Sequence, residues 1–202
     1  MGKTTFVDLI RHGEPEGGPR FRGHLDDPLS ARGFEQMRAA LAPGETPDRV
    51  LPSPLRRCRD FAEELARLAD RPLTIEPDFC EISFGDWEGH TLDEIQQSDG
   101  ERLAAFWRDA EQHPPPNGEE LGAFHERVAR AWDRWSGELR DEHVLVVGHG
   151  GVIRMILARV LDIAPARAMG RLQVPYACRT RLRLDDSEHG RLVALVEHGV
   201  RS

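Results

Sequence analysis

The chain has 202 residues, a length that fits one globular domain able to bury about two-thirds of its unfolded surface. Its 27 basic and 35 acidic residues give a net charge of −8, which opposes loose binding to nucleic acid or to anionic membranes, so an anionic ligand needs a local cluster of positive charge. Three widely separated cysteines form neither a disulfide framework nor the spacing of a zinc site. The sequence shows neither a leader-like segment nor an apolar stretch long enough to span a membrane. We therefore expect a cytoplasmic protein.

The first half of the chain alternates short β-rich segments with helical patterns. Strands are predicted at residues 4–10, 49–53 and 73–75. After the second of these, Ser53 is placed to cap a helix whose first turn contains Pro54. Apolar residues then recur at three- and four-residue steps, which predicts one buried helix face. They are Leu55, Cys58, Phe61, Leu65 and Leu68.

The middle of the chain contains weaker helical signals. Residues Thr91 and Glu94 stand in a capping-box pattern that opens a short helix, and 101–112 continues as a second helical piece. A Pro-rich break follows at 113–118. We interpret this break as a loop inside a small inserted cap at roughly 81–120, rather than as a linker between domains.

The last third begins with a long amphipathic helix over 121–139. The clearest strand of the chain, 144–147, is a continuous aliphatic run typical of a strand buried on both faces of a parallel sheet. A helix at 152–161 and two strands, at 180–184 and 191–197, complete the chain. Strands that alternate with helices predict an α/β fold: a single domain over 1–202, built as a three-layer sandwich with a mostly parallel central sheet and helices on both faces.

Basic residues follow three of the predicted strands. Arg11 and His12 come after the first, Arg56 and Arg57 after the second, and His149 after the buried strand. In such a fold, ligands bind at the carboxyl ends of the strands. We therefore expect these residues to converge in space.

A phosphate ester is the ligand that this combination suits. Paired guanidinium groups hold a phosphoryl group through charge-assisted hydrogen bonds, and a helix that begins near Gly150 directs free backbone N–H groups at the same anion. A neutral His12 could attack phosphorus if a backbone carbonyl holds its other ring nitrogen. Each residue alone has an ordinary interpretation as a turn or surface residue, but together they predict phosphoryl transfer.

Other kinds of catalytic site find little support in the sequence. None of the three cysteines has an arginine six positions later, so the loop of a cysteine-based phosphatase is absent. His125 and Glu126 lack the second histidine of a zinc helix, and the other histidines show no ligand spacing. We therefore expect neither a metal nor another cofactor.

Five motifs stand in order along the chain. They are Arg11-His12-Gly13-Glu14, Gly23-His24-Leu25-Asp26-Asp27-Pro28-Leu29-Ser30, Ser53-Pro54-Leu55-Arg56-Arg57-Cys58, Glu81-Ile82-Ser83-Phe84-Gly85-Asp86-Trp87-Glu88-Gly89 and Gly148-His149-Gly150-Gly151. With these motifs the sequence resembles the histidine phosphatase superfamily, which also contains the cofactor-dependent phosphoglycerate mutases. The likeness spans nearly the whole chain.

This resemblance implies specific catalytic roles. His12 would be the phosphorylated nucleophile, and Arg11, Arg57 and His149 would complete the phosphate pocket. Glu81 matches the carboxylate that protonates the leaving group, a role that requires a partly desolvated site. After the alcohol departs, the same carboxylate would activate the water that cleaves the phosphohistidine.

Substrate contacts are expected from the loops around this pocket. The expected residues are Gly18, Arg22, Gly23, His24 and Gly150. Many family members carry an Asn shortly after the first motif, whereas here Gly17-Gly18-Pro19 occupies a shorter loop, whose backbone N–H groups are candidates to replace the amide. Glu88 is expected to support the fold.

Discrimination between substrates must come from cap and loop groups such as Arg22, His24, Trp87 and His90. Trp107 lies in a helical segment and is interpreted as a packing residue, whereas Trp87 suits packing and recognition equally.

The leading functional hypothesis is a phosphomonoester hydrolase that acts on a small soluble phosphate ester. The segments 84–88, 105–107 and 116–119 are similar to those of the α-ribazole-5′-phosphate phosphatases of cobalamin synthesis. The alternatives are a broad-specificity acid phosphatase, a 2,3-bisphosphoglycerate-dependent phosphoglycerate mutase, which usually has a longer cap and tail, and a non-catalytic phosphate-binding module. If the chain oligomerises, a homodimer is the commonest arrangement.

Overall fold

The computed structural model describes residues 4–41, 44–188 and 190–200. Within these ranges, five strands form one sheet in the order β2, β3, β1, β4, β5. The strands are β1 (Thr5–Arg11), β2 (Arg49–Pro52), β3 (His143–Gly148), β4 (Arg179–Ser187) and β5 (Gly190–Gly199). The helices are α1 (Ala31–Ala40), α2 (Arg56–Ala69), α3 (Leu92–Arg108), α4 (Leu121–Glu138), α5 (Gly150–Leu161) and α6 (Pro165–Arg171), with short 3-10 helices at Pro77–Phe79 and Gly85–Trp87. The predicted α/β class is confirmed.

The sheet is mixed, so the prediction of a mostly parallel sheet is wrong. β1, β2 and β3 run parallel, whereas β4 is antiparallel to β1 and β5 is antiparallel to β4. The strands predicted at 180–184 and 191–197 are present, but the turn between them is too short for a crossover helix, and such a hairpin permits only antiparallel pairing. His189, which stands between these two strands in the sequence, lies outside the described residues.

Several local predictions need correction. Leu73 forms only an isolated bridge with Val50, so residues 73–75 are not a strand of the sheet. Ser53 does not cap α2, whose N-cap is Leu55 and has no side-chain capping bond. The capping box that opens α3 is present, but α3 continues through the second predicted helical piece, with a kink at Asp99 where the backbone is not helical.

β1 supplies side chains to two apolar clusters. Val7 and Leu9 join a cluster with residues of α4 and α5, whereas Ile10 joins a cluster with residues of α1 and α2. Since successive side chains of a strand point to opposite faces, the two clusters cover opposite sides of the sheet. In the described part of the chain, no helix combines the length and the apolar character needed to cross a lipid bilayer.

Candidate active site

Two histidines lie next to each other just after the ends of adjacent strands. The parallel register of β1 and β3 pairs Arg11 with Gly148, so His12 and His149 follow adjacent strand ends. Their ring centroids are 5.3 Å apart, with an angle of 66° between the ring planes. Both side chains are buried. The pairing of two distant strands therefore creates the centre of the site.

The His12 ring is held in one orientation. Its Nδ1 lies 2.7 Å from the carbonyl oxygen of Gly13, and because a carbonyl only accepts, Nδ1 carries the proton. The pKa of His12 lies well below its ordinary value because the ring is buried and because Arg57 and Arg11 repel a positive charge. Nε2 therefore keeps a free lone pair, as a nucleophile requires.

The second histidine is also neutral. The pKa of His149 is lowered well below its ordinary value by burial, by Arg57 and by His12. Its Nε2 lies 2.7 Å from Oγ of Ser53. Ser53 therefore orients this ring. The sequence pattern predicts Ser53 as a helix cap and gives no indication of this role. The buried Cys58 thiol, whose pKa is raised above its ordinary range by burial, lies 3.6 Å from the same ring.

These two histidines predict a pH dependence of stability. Their folded-state pKa values lie below the value of about 6.5 expected in the unfolded chain, so the unfolded chain takes up protons first as the pH falls through 6.5. We expect the free energy of unfolding to drop by about 2 to 4 kcal/mol between pH 7.5 and pH 5.0, measured by urea denaturation without phosphate. Asp8 does not contribute in this window, because its lowered pKa supplies stability that is lost only below about pH 4.

A variant separates the buried histidines from the remaining ones. His149→Asn should remove about half of this loss, measured by the same denaturation at the two pH values. Equal stability of the unsubstituted protein at the two pH values would contradict buried neutral histidines.

Two arginines beside the histidines have N–H groups that are available to hydrogen-bond a ligand. Arg57 is only 1% exposed and donates to the carbonyl oxygens of Leu25 and Gly23 at 2.8 and 2.7 Å. Arg11 donates to the carbonyl of Val174 at 2.6 Å. In the described part of the chain, the Nε atoms of both arginines are buried without a hydrogen-bond partner. Buried unpaired donors are costly, and a bound anion would satisfy them.

Glu81, which follows the 3-10 helix at Pro77–Phe79, reaches the same place. Its carboxylate accepts backbone N–H bonds from Gly151, near the start of α5, at 3.1 Å and from Ile82 at 3.0 Å. A Cβ at Gly151 would lie 2.2 Å from the Glu81 carboxylate, so only glycine permits this approach. Arg127 of α4 donates to the carbonyl of Glu81 and to those of Asp78 and Cys80, which fixes the backbone of this segment.

These groups surround a cavity of about 330 Å³. Of the residues predicted from the sequence, Arg11, His12, Arg22, Gly23, Arg57, Glu81 and Gly150 line it. His149 contacts the His12 ring but is not in the lining, and neither are Gly18 and His24. Five of the described lining residues are arginines and one is a carboxylate, so the cavity is strongly positive although the chain is acidic.

Sequence reasoning missed three polar residues of the cavity, namely Arg20, Arg154 and Tyr176. Arg154 of α5 donates from Nε to the carbonyl of Leu172. Its Nη1 approaches the N-terminus of α5, 3.0 Å from the position of a Cβ at Gly150. Its place one helical turn after Gly150 is a signal that could have found it. Tyr176 lies 5.7 Å from the His12 ring and 4.3 Å from the Arg11 guanidinium, both measured to ring centroids, and no local pattern predicts that contact.

The glycine-rich loop supplies carbonyl acceptors to neighbouring arginines. The carbonyl oxygens of Gly17 and Gly18 accept from Arg20 and Arg22, and Arg22 also pairs with Asp27. The loop thus positions Arg20 and Arg22 at the cavity.

Gly23 and Glu88 join this loop to the cap. Gly23 has a φ of +46°, and a Cβ there would lie 2.1 Å from the Glu88 carboxylate. That carboxylate accepts backbone N–H bonds from His24, Leu25 and Phe84. These contacts agree with the expected supporting role of Glu88.

Among the described residues, no cluster of three or more His, Cys, Asp or Glu side chains has the arrangement of a metal site. The arrangement instead combines a neutral imidazole with a free lone pair, guanidinium donors, a helix N-terminus and one carboxylate. These are the groups required to bind a phosphoryl oxyanion, attack its phosphorus and transfer a proton.

Comparisons with known proteins agree with this chemistry. Residues 7–198 match the sequence model of the histidine phosphatase superfamily, branch 1. The adenosylcobalamin/alpha-ribazole phosphatase of Escherichia coli is 36% identical over 174 residues, which cover 84% of this chain and 85% of that protein. The glucosyl-3-phosphoglycerate phosphatase of Mycolicibacterium vanbaalenii is 34% identical over 168 residues, with 77% and 73% covered.

A similar structure is also known. The crystal structure of the alpha-ribazole phosphatase from Shigella flexneri superposes with a TM-score of 0.78 at 30% sequence identity, and the match covers 95% of each chain.

Proposed function

Because the chain belongs to the histidine phosphatase superfamily and is a phosphatase, we propose that it hydrolyses small phosphate monoesters through a phosphohistidine at His12. One observation carries this proposal: the neutral His12, its Nδ1 bonded to the Gly13 carbonyl, lies in a cavity beside two arginines whose Nε atoms are buried and, in the described part of the chain, have no hydrogen-bond partner. A nucleophile without a positive charge and a site that needs an anion are thus adjacent.

The first step forms a bond between Nε2 of His12 and phosphorus while the bond from phosphorus to the ester oxygen breaks. Arg11 and Arg57 neutralise the negative charge of the equatorial phosphoryl oxygens. The N-terminus of α5 at Gly150 adds the partial positive charge of its free backbone N–H groups. Glu81 gives its proton to the departing alkoxide. The products of this step are the free alcohol and a phosphohistidine.

The second step returns the enzyme to its starting state. Glu81, now a carboxylate, removes a proton from water, and the water oxygen forms a bond to phosphorus as the bond from phosphorus to Nε2 breaks. Inorganic phosphate leaves, and Glu81 is again protonated. The neutral His149, held by Ser53, packs against the His12 ring without adding a positive charge beside the pocket.

The substrate we propose is α-ribazole 5′-phosphate, an intermediate of cobalamin synthesis. The names of the relatives from Escherichia coli and Shigella flexneri support it. We further propose that the chain works in the cytoplasm as one domain, whose inserted cap at about 81–120 covers the phosphate pocket. Cap residues such as Glu81, Phe84 and Trp107 line the cavity, which supports this division.

A panel of phosphate esters tests the proposed function. We expect kcat/KM for α-ribazole 5′-phosphate to exceed that for p-nitrophenyl phosphate and for glucosyl-3-phosphoglycerate by at least about tenfold, because specific contacts with the alcohol group add to the common phosphate contacts. Phosphate release measures hydrolysis, and 2-phosphoglycerate formed from 3-phosphoglycerate in the presence of 2,3-bisphosphoglycerate measures mutase activity. Faster mutase turnover than hydrolysis, or no turnover of any ester, would overturn the proposal.

A further inference from the structure

One wall of the cavity is aromatic and has no role in the phosphate chemistry. Phe21, Phe84, Phe106 and Trp107 line the cavity together with the arginines and Glu81. We call these four residues the aromatic wall. They come from the loop after β1, from the start of the cap and from α3. The phosphate pocket and this wall are therefore two parts of one cavity with different chemistry.

The wall is organised in advance. Phe21 and Phe84 have ring centroids 5.0 Å apart, and Phe106 and Trp107 are also 5.0 Å apart, both pairs in edge-to-face geometry. The backbone of Phe21 donates to the carbonyl of His90 and accepts from the N–H of Gly89. Because backbone bonds and ring contacts hold the wall, it keeps a fixed shape before a ligand arrives.

The exposed fractions of Trp87 and Trp107 show which of them packs in the interior and which is available to contact a ligand. Trp87 is 3% exposed and its indole N–H lies 3.3 Å from the Asp99 carboxylate, so it packs behind the wall. Trp107 is 53% exposed, as is the neighbouring lining residue Leu92. Trp107, interpreted from the sequence as a packing residue, lines the cavity, whereas Trp87, which suited packing and recognition equally, does not. Exposed apolar surface at a cavity is typical of a ligand contact.

We propose that the aromatic wall is a leaving-group subsite for a flat, apolar ring system, and that Trp107 determines this preference. The inference rests on the proposed phosphatase function and names the class of alcohol it accepts: one that places an aromatic ring near the phosphate ester. A cavity of about 330 Å³ is at the small end of the usual range for ligand pockets, so it fits a phosphate and one ring system. Aromatic groups stack on such surfaces by offset or edge-to-face contact.

Two matched substrates test the subsite while the chemical reactivity of the leaving group stays the same. 3-Phenylpropyl phosphate and propyl phosphate are both primary alkyl esters and differ only in the distant ring. We expect kcat/KM of the unsubstituted enzyme to be about tenfold higher for the phenyl ester. Trp107→Ala should lower kcat/KM for the phenyl ester by about the same factor and change that for propyl phosphate by less than about twofold.

Two further variants complete the experiment. Trp107→Phe keeps a ring at this position and should recover most of the preference. Leu68→Ala removes a 68% exposed apolar side chain of α2 away from the cavity and should change neither substrate. Equal losses for both esters in Trp107→Ala, or no preference in the unsubstituted enzyme, would overturn the subsite while leaving the phosphatase intact. Failure of the proposed function is distinct, because neither ester would then be hydrolysed.

Discussion

Replacement of His12 by alanine is expected to lower kcat/KM for p-nitrophenyl phosphate by at least about 10⁴-fold, since loss of a nucleophile removes the whole two-step route. The fold should survive, because the substitution removes a neutral ring whose side-chain bond is a single contact with the neighbouring Gly13 carbonyl. Steady-state release of nitrophenolate measures the effect. His113→Ala is the matched control, since His113 is exposed in the loop before α4 and does not line the cavity.

Trapping the intermediate gives an independent measurement. Denaturation at alkaline pH during turnover of a labelled ester should recover an acid-labile phosphoryl group on a peptide that contains His12, and the alanine variant should yield none. Label on another residue, or activity unaffected by the substitution, would refute the assignment of His12 as nucleophile.

Replacement of Glu81 by glutamine is expected to lower kcat for propyl phosphate by about 10² to 10⁴-fold, because an alkoxide is a poor leaving group without a proton donor. With p-nitrophenyl phosphate the first step should remain fast, because nitrophenolate leaves without a proton. The second step should still be slow, since no carboxylate activates the water. The expected result is a burst of nitrophenolate followed by slow turnover, with accumulated phosphoenzyme.

Glutamine has the same shape as glutamate and keeps one acceptor oxygen, so it retains one of the two backbone N–H bonds that hold the Glu81 side chain. Glu101→Gln, on the exposed face of α3, controls for the change of charge. If the two esters lose activity by the same factor and no phosphoenzyme accumulates, Glu81 does not transfer the proton.

Much of the fold could be predicted because its signals are local. The apolar run at 144–147 identifies β3, and the capping box of Thr91 and Glu94 marks the start of α3. The orientation of β4 and β5 was not readable from periodicity, since alternation occurs in either direction of pairing. The segment at 73–75 has strand composition, and it lies along β2 with an isolated bridge between Leu73 and Val50 instead of a full strand.

The candidate site also contains residues that local sequence motifs predict and residues that only the fold brings in. His12, Arg57 and Glu81 belong to motifs of consecutive residues, and the structure places all three at one cavity, although their catalytic roles remain predictions. Arg154 and Tyr176 belong to no such motif. They enter the cavity because α5 and the segment before β4 pack beside the end of β1.

The sequence by itself determined the family, the nucleophile candidate and its charged neighbours, because motif residues carry their chemistry wherever the chain places them. Only the tertiary structure decided that Ser53 orients His149 instead of capping a helix, and that Trp107 instead of Trp87 faces the cavity. Both outcomes depend on contacts between segments far apart in the chain. Such contacts are set by the packing of the sheet, loop and cap, which composition and spacing do not encode.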